Sequence, residues 1–214
     1  MKDTPEITPA LLVQAYKVGV FPMAEDAQSD ALFWVDPPLR GILPLDDFHT
    51  SRSLKKRINT VSYEASFNQC FSRVMAGCAA RDVTWINGPI TSLFTELHNQ
   101  GLAHSIEIWR GSQLVGGVYG LALGGAFFGE SMFSIARDGS KIALFALTNR
   151  LKQAGFTLFD TQFLTPHLET LGGIEISRAR YHQLLHAALQ VQVDPMALEP
   201  CQRYSLTQPI TQMS

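Results

Sequence analysis

The sequence predicts an α+β fold, in which a small proline-rich N-terminal unit precedes a larger unit built on a largely antiparallel sheet. One observation is a nearly uncharged run from Leu114 to Ser134 that holds six of the sixteen glycines. A second is that helix signals lie on both sides of this run. A third is a cluster of four prolines between Phe21 and Leu45, which excludes long regular elements there.

The N-terminal unit begins with a helix, because Thr8 is a good N-cap residue and Pro9 suits the first helical position. Gly19 ends this helix. Residues 21–45 are predicted to form loops and short strands, and residues 51–59 form a short basic helix.

The remaining elements follow in the order helix, helix, three-stranded meander, helix, strand and helix. They are predicted over residues 66–80, 89–99, 103–109, 114–122, 126–133, 140–153 with Ser140 as the N-cap, 156–163, and from 177 or 178 to 189. This order is typical of acyltransferase domains of the GNAT type. We therefore assign residues 61–214 to a GNAT-like domain and residues 1–60 to a small N-terminal domain.

Composition excludes several classes of protein. A chain of 214 residues with a net charge of −2 does not coat nucleic acid by charge alone, although a local basic patch is compatible with it. Three cysteines without a C-x-x-C pair exclude a disulfide framework or a zinc site. The N-terminus is polar, and the apolar run is too short and glycine-rich to span a membrane. We expect a cytoplasmic protein with no membrane partner.

Three polar side chains are candidates for chemistry. Asp160 and Gln162 are two residues apart in the predicted strand LFDTQF, so both are expected on one face of it. A carboxylate beside an amide can accept a proton through it, but such a pair can also simply bond a loop. Glu130 ends the glycine-rich run, where an isolated acid is costly unless it is paired or used.

Other patterns are weaker. The run from Gly124 to Ser131 differs from the phosphate-binding loop pattern G-x-x-x-x-G-K-[ST], because Glu130 occupies the position of the lysine. Arg52, Lys55 and Lys56 lie in an acid-free stretch, which is either a solvated face or a contact to a phosphate backbone. Three aromatic residues in polar or proline-rich surroundings either cover a domain interface or stack on a base or an amino-acid side chain, namely Tyr16, Trp34 and Trp85.

Nine segments in order resemble the leucyl/phenylalanyl-tRNA–protein transferase family, and they cover nearly the whole chain. They are LLVQAYKVGVFPM (11–23), FWVDPPLRGILPL (33–45), FHTSRSLKK (48–56), TWI (84–86), GLAHSIEIW (101–109), LVGGVYG (114–120), FFGESMFS (127–134), SKIAL (140–144) and DTQF…HLETLGG (160–173). The resemblance implies a small N-terminal domain followed by a GNAT-like domain. It also implies transfer of Leu or Phe, and Met less readily, from aminoacyl-tRNA to the N-terminal Arg or Lys of proteins, which marks them for degradation.

The resemblance also implies roles for individual residues. Asp160, Gln162 and Glu130 correspond to the catalytic positions, and Arg52, Lys55 and Lys56 fall where a tRNA contact is expected. The substrate-binding positions are Phe127, Met132, Leu144, Leu147, Val118, Trp34, Trp85 and Tyr16. No metal and no cofactor is implied, because the donor ester is already activated, and we expect a monomer.

Phe127 and Met132 would face opposite sides of a regular strand. Either a bulge lies near Gly129, or the assignment of the pocket is partly wrong.

Three other functions compete with the implied one. A GNAT acetyltransferase would carry a pyrophosphate loop of the form [RQ]-x-x-G-x-[GA], which residues 135–141 do not fit. A peptidoglycan transferase that uses aminoacyl-tRNA is usually larger. A tRNA-binding or peptide-binding module would tolerate the loss of Asp160.

Overall fold

Seven helices and ten strands make up the part of the chain that the computed structural model describes, residues 7–24, 32–80, 84–194 and 196–207. The helices are α1 Pro9–Lys17, α2 Arg52–Thr60, α3 Phe71–Ala79, α4 Gly88–Asn99, α5 Gly139–Gln153, α6 Pro166–Glu169 and α7 Arg178–Leu189. The strands are β1 Phe21–Ala24, β2 Leu32–Val35, β3 Leu39–Ile42, β4 Tyr63–Phe67, β5 Ala103–Arg110, β6 Gln113–Leu123, β7 Ala126–Ser134, β8 Leu158–Gln162, β9 Ile174–Ser177 and β10 Cys201–Ser205.

Eight strands form one sheet in the order β10-β4-β5-β6-β7-β8-β3-β9. All neighbours are antiparallel except β7 and β8, which confirms the predicted α+β class and the largely antiparallel sheet. Strands β1 and β2 form a separate two-stranded sheet near the N-terminus. Strand β3 comes from the first 60 residues and lies between β8 and β9. The division at residue 60 and the GNAT-like description stay predictions.

Helices cover both faces of the large sheet. One buried cluster joins the sheet to α1, α3, α4 and α7, and the other joins it to α2, α5 and α6. Each fully buried Leu, Phe or Val side chain in these clusters contributes about 1.5–3 kcal/mol relative to an exposed one. No helix among the described residues combines the length and the apolar content that crossing a bilayer requires.

Local sequence signals explain most of the helix ends. The Thr8 hydroxyl accepts a hydrogen bond from the Leu11 amide (3.2 Å), and the Ser51 hydroxyl accepts one from the Leu54 amide (3.2 Å). Ser177 caps α7 in the same way. These bonds satisfy amide groups that would otherwise lack a partner at the start of a helix. The predicted helices at the N-terminus, at 51–59 and from 177 are thereby confirmed.

Two predicted elements are wrong in part. Residues 63–67 form strand β4, and the helix predicted over 66–80 begins only at Phe71, because Asn68 has a positive φ of 55° that breaks the chain direction. Ser140 is not an N-cap, since Asp138 holds that position of α5. The sequence analysis also missed three short elements, α6, β9 and β10.

Glycines allow the start of α5 to approach strand β6. A Cβ atom on Gly116 would lie 2.6 Å from the backbone carbon of Gly139, and one on Gly139 would lie 2.5 Å from the Val115 oxygen. The glycine-rich strand therefore permits close backbone contact, because glycine has no side chain to separate the two backbones. This contact brings the first turn of α5 to the edge of the cleft described next.

Candidate active site

A cleft of about 630 Å³ opens where strands β6, β7 and β8 meet the starts of α5 and α6. Phe21, Pro22 and Met23 of β1 form one side of it, together with Trp85. Its floor is largely apolar, formed by Val118, Met132, Leu144 and Phe159. The polar groups that line it include Glu130, Gln162, Ser140, Thr165 and His167. Such an apolar cleft with a few converging polar groups is the usual form of a ligand site.

A β-bulge places Glu130 in this cleft. Tyr119 pairs with Ser131, and the next residue, Gly120, pairs with Gly129, so Glu130 is the extra residue of β7. Because the bulge shifts the alternation by one, Phe127 and Met132 both pack against the same hydrophobic cluster. The bulge near Gly129 is therefore confirmed, and the two pocket residues lie on one side of the sheet.

Glu130 is nearly buried, with 9% of its surface exposed. Its Oε1 accepts a hydrogen bond from Gln162 Nε2 at 3.1 Å. Burial raises the pKa of Glu130 to about 8, the nearby Tyr16 hydroxyl lowers it, and the charge on Asp160 raises it further. The Tyr16 hydroxyl is itself buried near this carboxyl without a well-formed hydrogen bond, and burial followed by the charge on Glu130 raises the Tyr16 pKa.

Asp160 is fully buried and lies behind the cleft rather than in its lining. Arg40 binds it in a bidentate manner, with Nε 2.9 Å from Oδ1 and Nη2 2.6 Å from Oδ2. The Tyr181 hydroxyl donates to Oδ2 at 2.7 Å, and the Gln162 backbone amide donates to Oδ1 at 2.8 Å. Asp160 is thus a fully paired carboxylate that fixes its neighbours.

Gln162 leaves strand geometry, with a positive φ of 58°. The regular alternation along β8 therefore ends at this residue, and its side chain meets Glu130 while the side chain of Asp160 meets Arg40. A non-glycine residue in the left-handed region requires support from its surroundings. The hydrogen bond from its amide to Asp160 supplies such support.

The other predicted pocket residues lie at different depths. Val118, Met132, Leu144 and Trp85 line the cleft. Phe127 and Leu147 are buried behind the lining, and the Phe127 ring contacts that of Phe159 edge to face at 5.4 Å.

The remaining two predicted aromatic residues also lie outside the lining. Trp34 is 41% exposed on β2, where it pairs with Pro22 of the β1 wall, and Tyr16 is buried beside Glu130.

Four residues of this region were missed by the sequence analysis, namely Phe21, Arg40, Phe159 and Tyr181. Phe159 could have been found, because it precedes Asp160 and faces the opposite side of β8 from it. Arg40 and Tyr181 are 120 and 21 residues away from Asp160, and no local pattern relates them to it.

The basic residues of α2 lie beside the start of α5. Arg52, Lys55 and Lys56 are exposed, while Arg57 forms an ion pair with Asp138 at 2.8 Å. Asp138 precedes Ser140, which lines the cleft. The Arg57–Asp138 ion pair therefore places α2 near one margin of the cleft. Arg137 adds a side chain that is 79% exposed at the same margin.

Residues 42–186 match the model of the leucyl/phenylalanyl-tRNA protein transferase family, and residues 5–38 match the model of its N-terminal domain. Proteins of the same description from Ruegeria sp. (strain TM1040) and Dinoroseobacter shibae are 59% and 52% identical to this chain. The alignments cover 84% and 92% of this chain and 85% and 91% of those proteins.

The structure of L-PGS from Bacillus licheniformis aligns with a TM-score of 0.44 at 15% identity. The alignment covers 78% of this chain and 57% of that one.

Proposed function

This chain belongs to the leucyl/phenylalanyl-tRNA–protein transferase family, and we propose that it moves Leu or Phe, and Met less readily, to proteins that begin with Arg or Lys. The chain is an aminoacyltransferase that uses aminoacyl-tRNA. We further propose that the added residue marks the acceptor for degradation, and that the larger domain is GNAT-like.

The observation that supports this reaction best is the carboxyl of Glu130 in the cleft lining. An acceptor α-amine has an unperturbed pKa of about 7.7–8.0. Burial raises the pKa of Glu130 to about 8, so the proton affinities of the two groups match. Because the two pKa values are close, the ionised form of Glu130 takes a proton from the ammonium group at little cost, and the ionised fraction grows as the pH rises toward 8. In that ionised form the carboxylate would also attract the cationic side chain of an acceptor that begins with Arg or Lys.

In the proposed reaction the acceptor nitrogen loses two protons and forms one bond to carbon. Glu130 takes one proton from the α-ammonium group, and the free amine attacks the ester carbon of the aminoacyl-tRNA. The bond from that carbon to the ribose oxygen breaks. The ribose oxygen takes the second proton that the nitrogen loses, which yields an amide and a tRNA hydroxyl.

Gln162 and Asp160 have different parts in this proposal. Gln162 orients the Glu130 carboxyl through its amide at 3.1 Å and lies where the acceptor would enter. Asp160 holds the Gln162 backbone at 2.8 Å and acts as a positioning residue. Correct orientation of reacting groups alone lowers a barrier by several kcal/mol.

The apolar floor is the proposed site for the transferred side chain. Val118, Met132, Leu144 and Phe159 offer shape but no charge. Such a pocket discriminates between side chains that differ by one methylene by only about 10–200-fold. We expect Leu and Phe to be preferred over the β-branched Ile and Val, with Phe127 and Leu147 supporting the wall from behind.

The exposed cations of α2 are the proposed tRNA contact. We expect the Lys55→Glu, Lys56→Glu double variant to weaken tRNA binding and to reduce the salt slope by about 0.7–0.9 per lost phosphate contact. Exposed cations elsewhere provide the control, a Lys17→Glu, Arg180→Glu double variant with the same change of charge. Equal tRNA affinity of both double variants would assign the α2 cations to a solvated surface.

The deciding experiment is transfer from charged tRNA to a peptide, followed by mass spectrometry. Donors are Leu-, Phe-, Met-, Ile- and Val-tRNA, and peptides begin with Arg, Lys or Ala, without ATP. We expect one leucyl or phenylalanyl residue on Arg and Lys peptides only. Equal transfer to the Ala peptide, or equal use of Val- and Leu-tRNA, would contradict the proposed specificity, and a need for ATP would contradict the reaction.

A further inference from the structure

Arg40 lies behind the cleft, yet its guanidinium contacts elements of both walls. It is 1% exposed and binds both oxygens of Asp160, at 2.9 and 2.6 Å. Its Nη1 donates to the Gly19 carbonyl at 3.0 Å. The guanidinium carbon lies 4.5 Å from the ring centre of Phe21 and 4.3 Å from that of Tyr181. Four hydrogen bonds and two ring contacts therefore hold this cation in place.

These contacts lead directly to the cleft lining. Phe21 begins β1, lines the cleft and contacts the ring of Phe163, another lining residue, edge to face with 5.7 Å between ring centres. Asp160 accepts a hydrogen bond from the backbone amide of Gln162, and the side-chain amide of Gln162 donates one to Glu130. One cation thus connects the β1 wall, through Gly19 and Phe21, with the β8 wall, through Asp160.

The chemistry of this arrangement requires arginine. A planar guanidinium donates to a carboxylate in a bidentate manner, bonds a carbonyl and stacks on two rings at the same time. A lysine ammonium is compact and has no planar face, so it can balance the Asp160 charge but cannot hold all four partners. Charge compensation and wall alignment are therefore separable by substitution.

We propose that Arg40 is a positioning residue, whose guanidinium sets the spacing between the Phe21 wall and the Gln162 wall of the cleft. The effect of Arg40 on transfer activity rests on the proposed function. A buried ion pair that only stabilises the fold would give the same contacts to Asp160. If the ion pair only stabilised the fold, a change in it would leave the positions of Gly19 and Phe21 unchanged.

The test compares Arg40→Lys and Tyr181→Phe with Arg180→Lys, an exposed arginine on the same helix as Tyr181. Transfer kinetics give kcat and KM for the peptide and for the aminoacyl-tRNA. Amide hydrogen exchange of residues 19–23 and of Gln162 reports on the walls without any substrate. Thermal melting identifies the folded variants.

We expect folded Arg40→Lys to lose about 10²-fold in kcat, the effect of displacing a reacting group by about 1 Å, with KM for tRNA nearly unchanged. Exchange should rise at both Gln162 and residues 19–23. Tyr181→Phe keeps the ion pair but removes one donor to Asp160, and we expect a loss of roughly tenfold. Arg180→Lys should match the wild type.

A folded Arg40→Lys variant with wild-type kcat and unchanged exchange would overturn the inference. If Arg40→Lys does not fold, wild-type kcat and exchange in Tyr181→Phe would overturn it instead. Failure of the wild type to transfer any aminoacyl group would reject the proposed function alone. The exchange measurement would then test the role of Arg40 by itself. That role is rejected if the Arg40→Lys and Tyr181→Phe variants do not change the protection of residues 19–23 and of Gln162 together.

Discussion

Two buried glutamates of the same sheet have opposite surroundings. Glu107 on β5 accepts hydrogen bonds from the hydroxyls of Ser66 and Ser105, both at 2.5 Å, and from the amides of Gln69 and Cys70 at 3.3 and 3.5 Å. Glu130 on β7 accepts one from the Gln162 side chain at 3.1 Å and lines a cleft.

The difference separates an acid held by four hydrogen bonds inside the fold from one that faces a cleft. Burial raises the pKa of both, but the hydrogen bonds to Glu107 work against this rise, so its charge is supported from within the protein. Trp109 Nε1 extends this network by donating to Ser66 at 2.8 Å. The Glu107 region therefore joins β4, β5 and the start of α3, whereas Glu130 lines the cleft with one side-chain hydrogen bond from Gln162.

The largest expected effect is on transfer activity. Glu130→Gln should lower kcat by about 10²–10⁴-fold, the contribution of a positioned general base. Glu107→Gln should leave kcat within a factor of about two, because Glu107 does not line the cleft. Leucyl transfer to an Arg peptide, measured on both variants at equal folded concentration, tests the pair. Equal losses in both would remove the functional distinction.

The two regions also illustrate what the sequence could predict. The glycine-rich meander and the Thr8 cap follow from local patterns, and the structure has both. The bulge near Gly129 was one of two alternatives that the resemblance left open, and the register of β6 and β7 decides for it. The location of Asp160 behind the cleft could not be predicted, because it depends on Arg40 in a strand 120 residues earlier.

Strand β4 was missed for a related reason. Its pairing with β5 and β10 compensates for a sequence that also fits a helix. Local patterns thus predict elements well, whereas pairing between distant segments decides which polar groups face the cleft.

A second prediction concerns stability. Here Glu107→Gln, which should hardly affect kcat, is expected to lose more than Glu130→Gln. Each Glu107 oxygen accepts from one serine hydroxyl and one backbone amide. Glu107→Gln turns one of these oxygens into an N–H₂ donor that faces two donors, so at least one buried donor loses its acceptor. We expect the free energy of unfolding to fall by about 1–3 kcal/mol. Glu130→Gln should unfold at the wild-type free energy or above it at pH 8, because it removes a poorly compensated buried charge. Urea denaturation at pH 8 measures both, and a less stable Glu130→Gln variant would contradict the contrast.

Per pH unit, the smallest expected effect is the pH dependence of that stability. Burial raises the pKa of Glu130 from 4.5 to about 8, so the folded protein keeps a proton that the unfolded chain has released over this range. Folding stability therefore falls as the pH rises from about 5 to about 8, by at most about 1.4 kcal/mol per pH unit for one group. Glu130→Gln lacks this group, while Glu107 and every other acid titrate in both proteins and cancel in the difference. Subtracting the unfolding free energies of the variant from those of the wild type at pH 5, 6, 7 and 8 should give a steadily decreasing series that levels off above pH 8. A flat series would mean that Glu130 ionises at its ordinary pKa in the folded protein, and the proton match with the acceptor amine would then be lost.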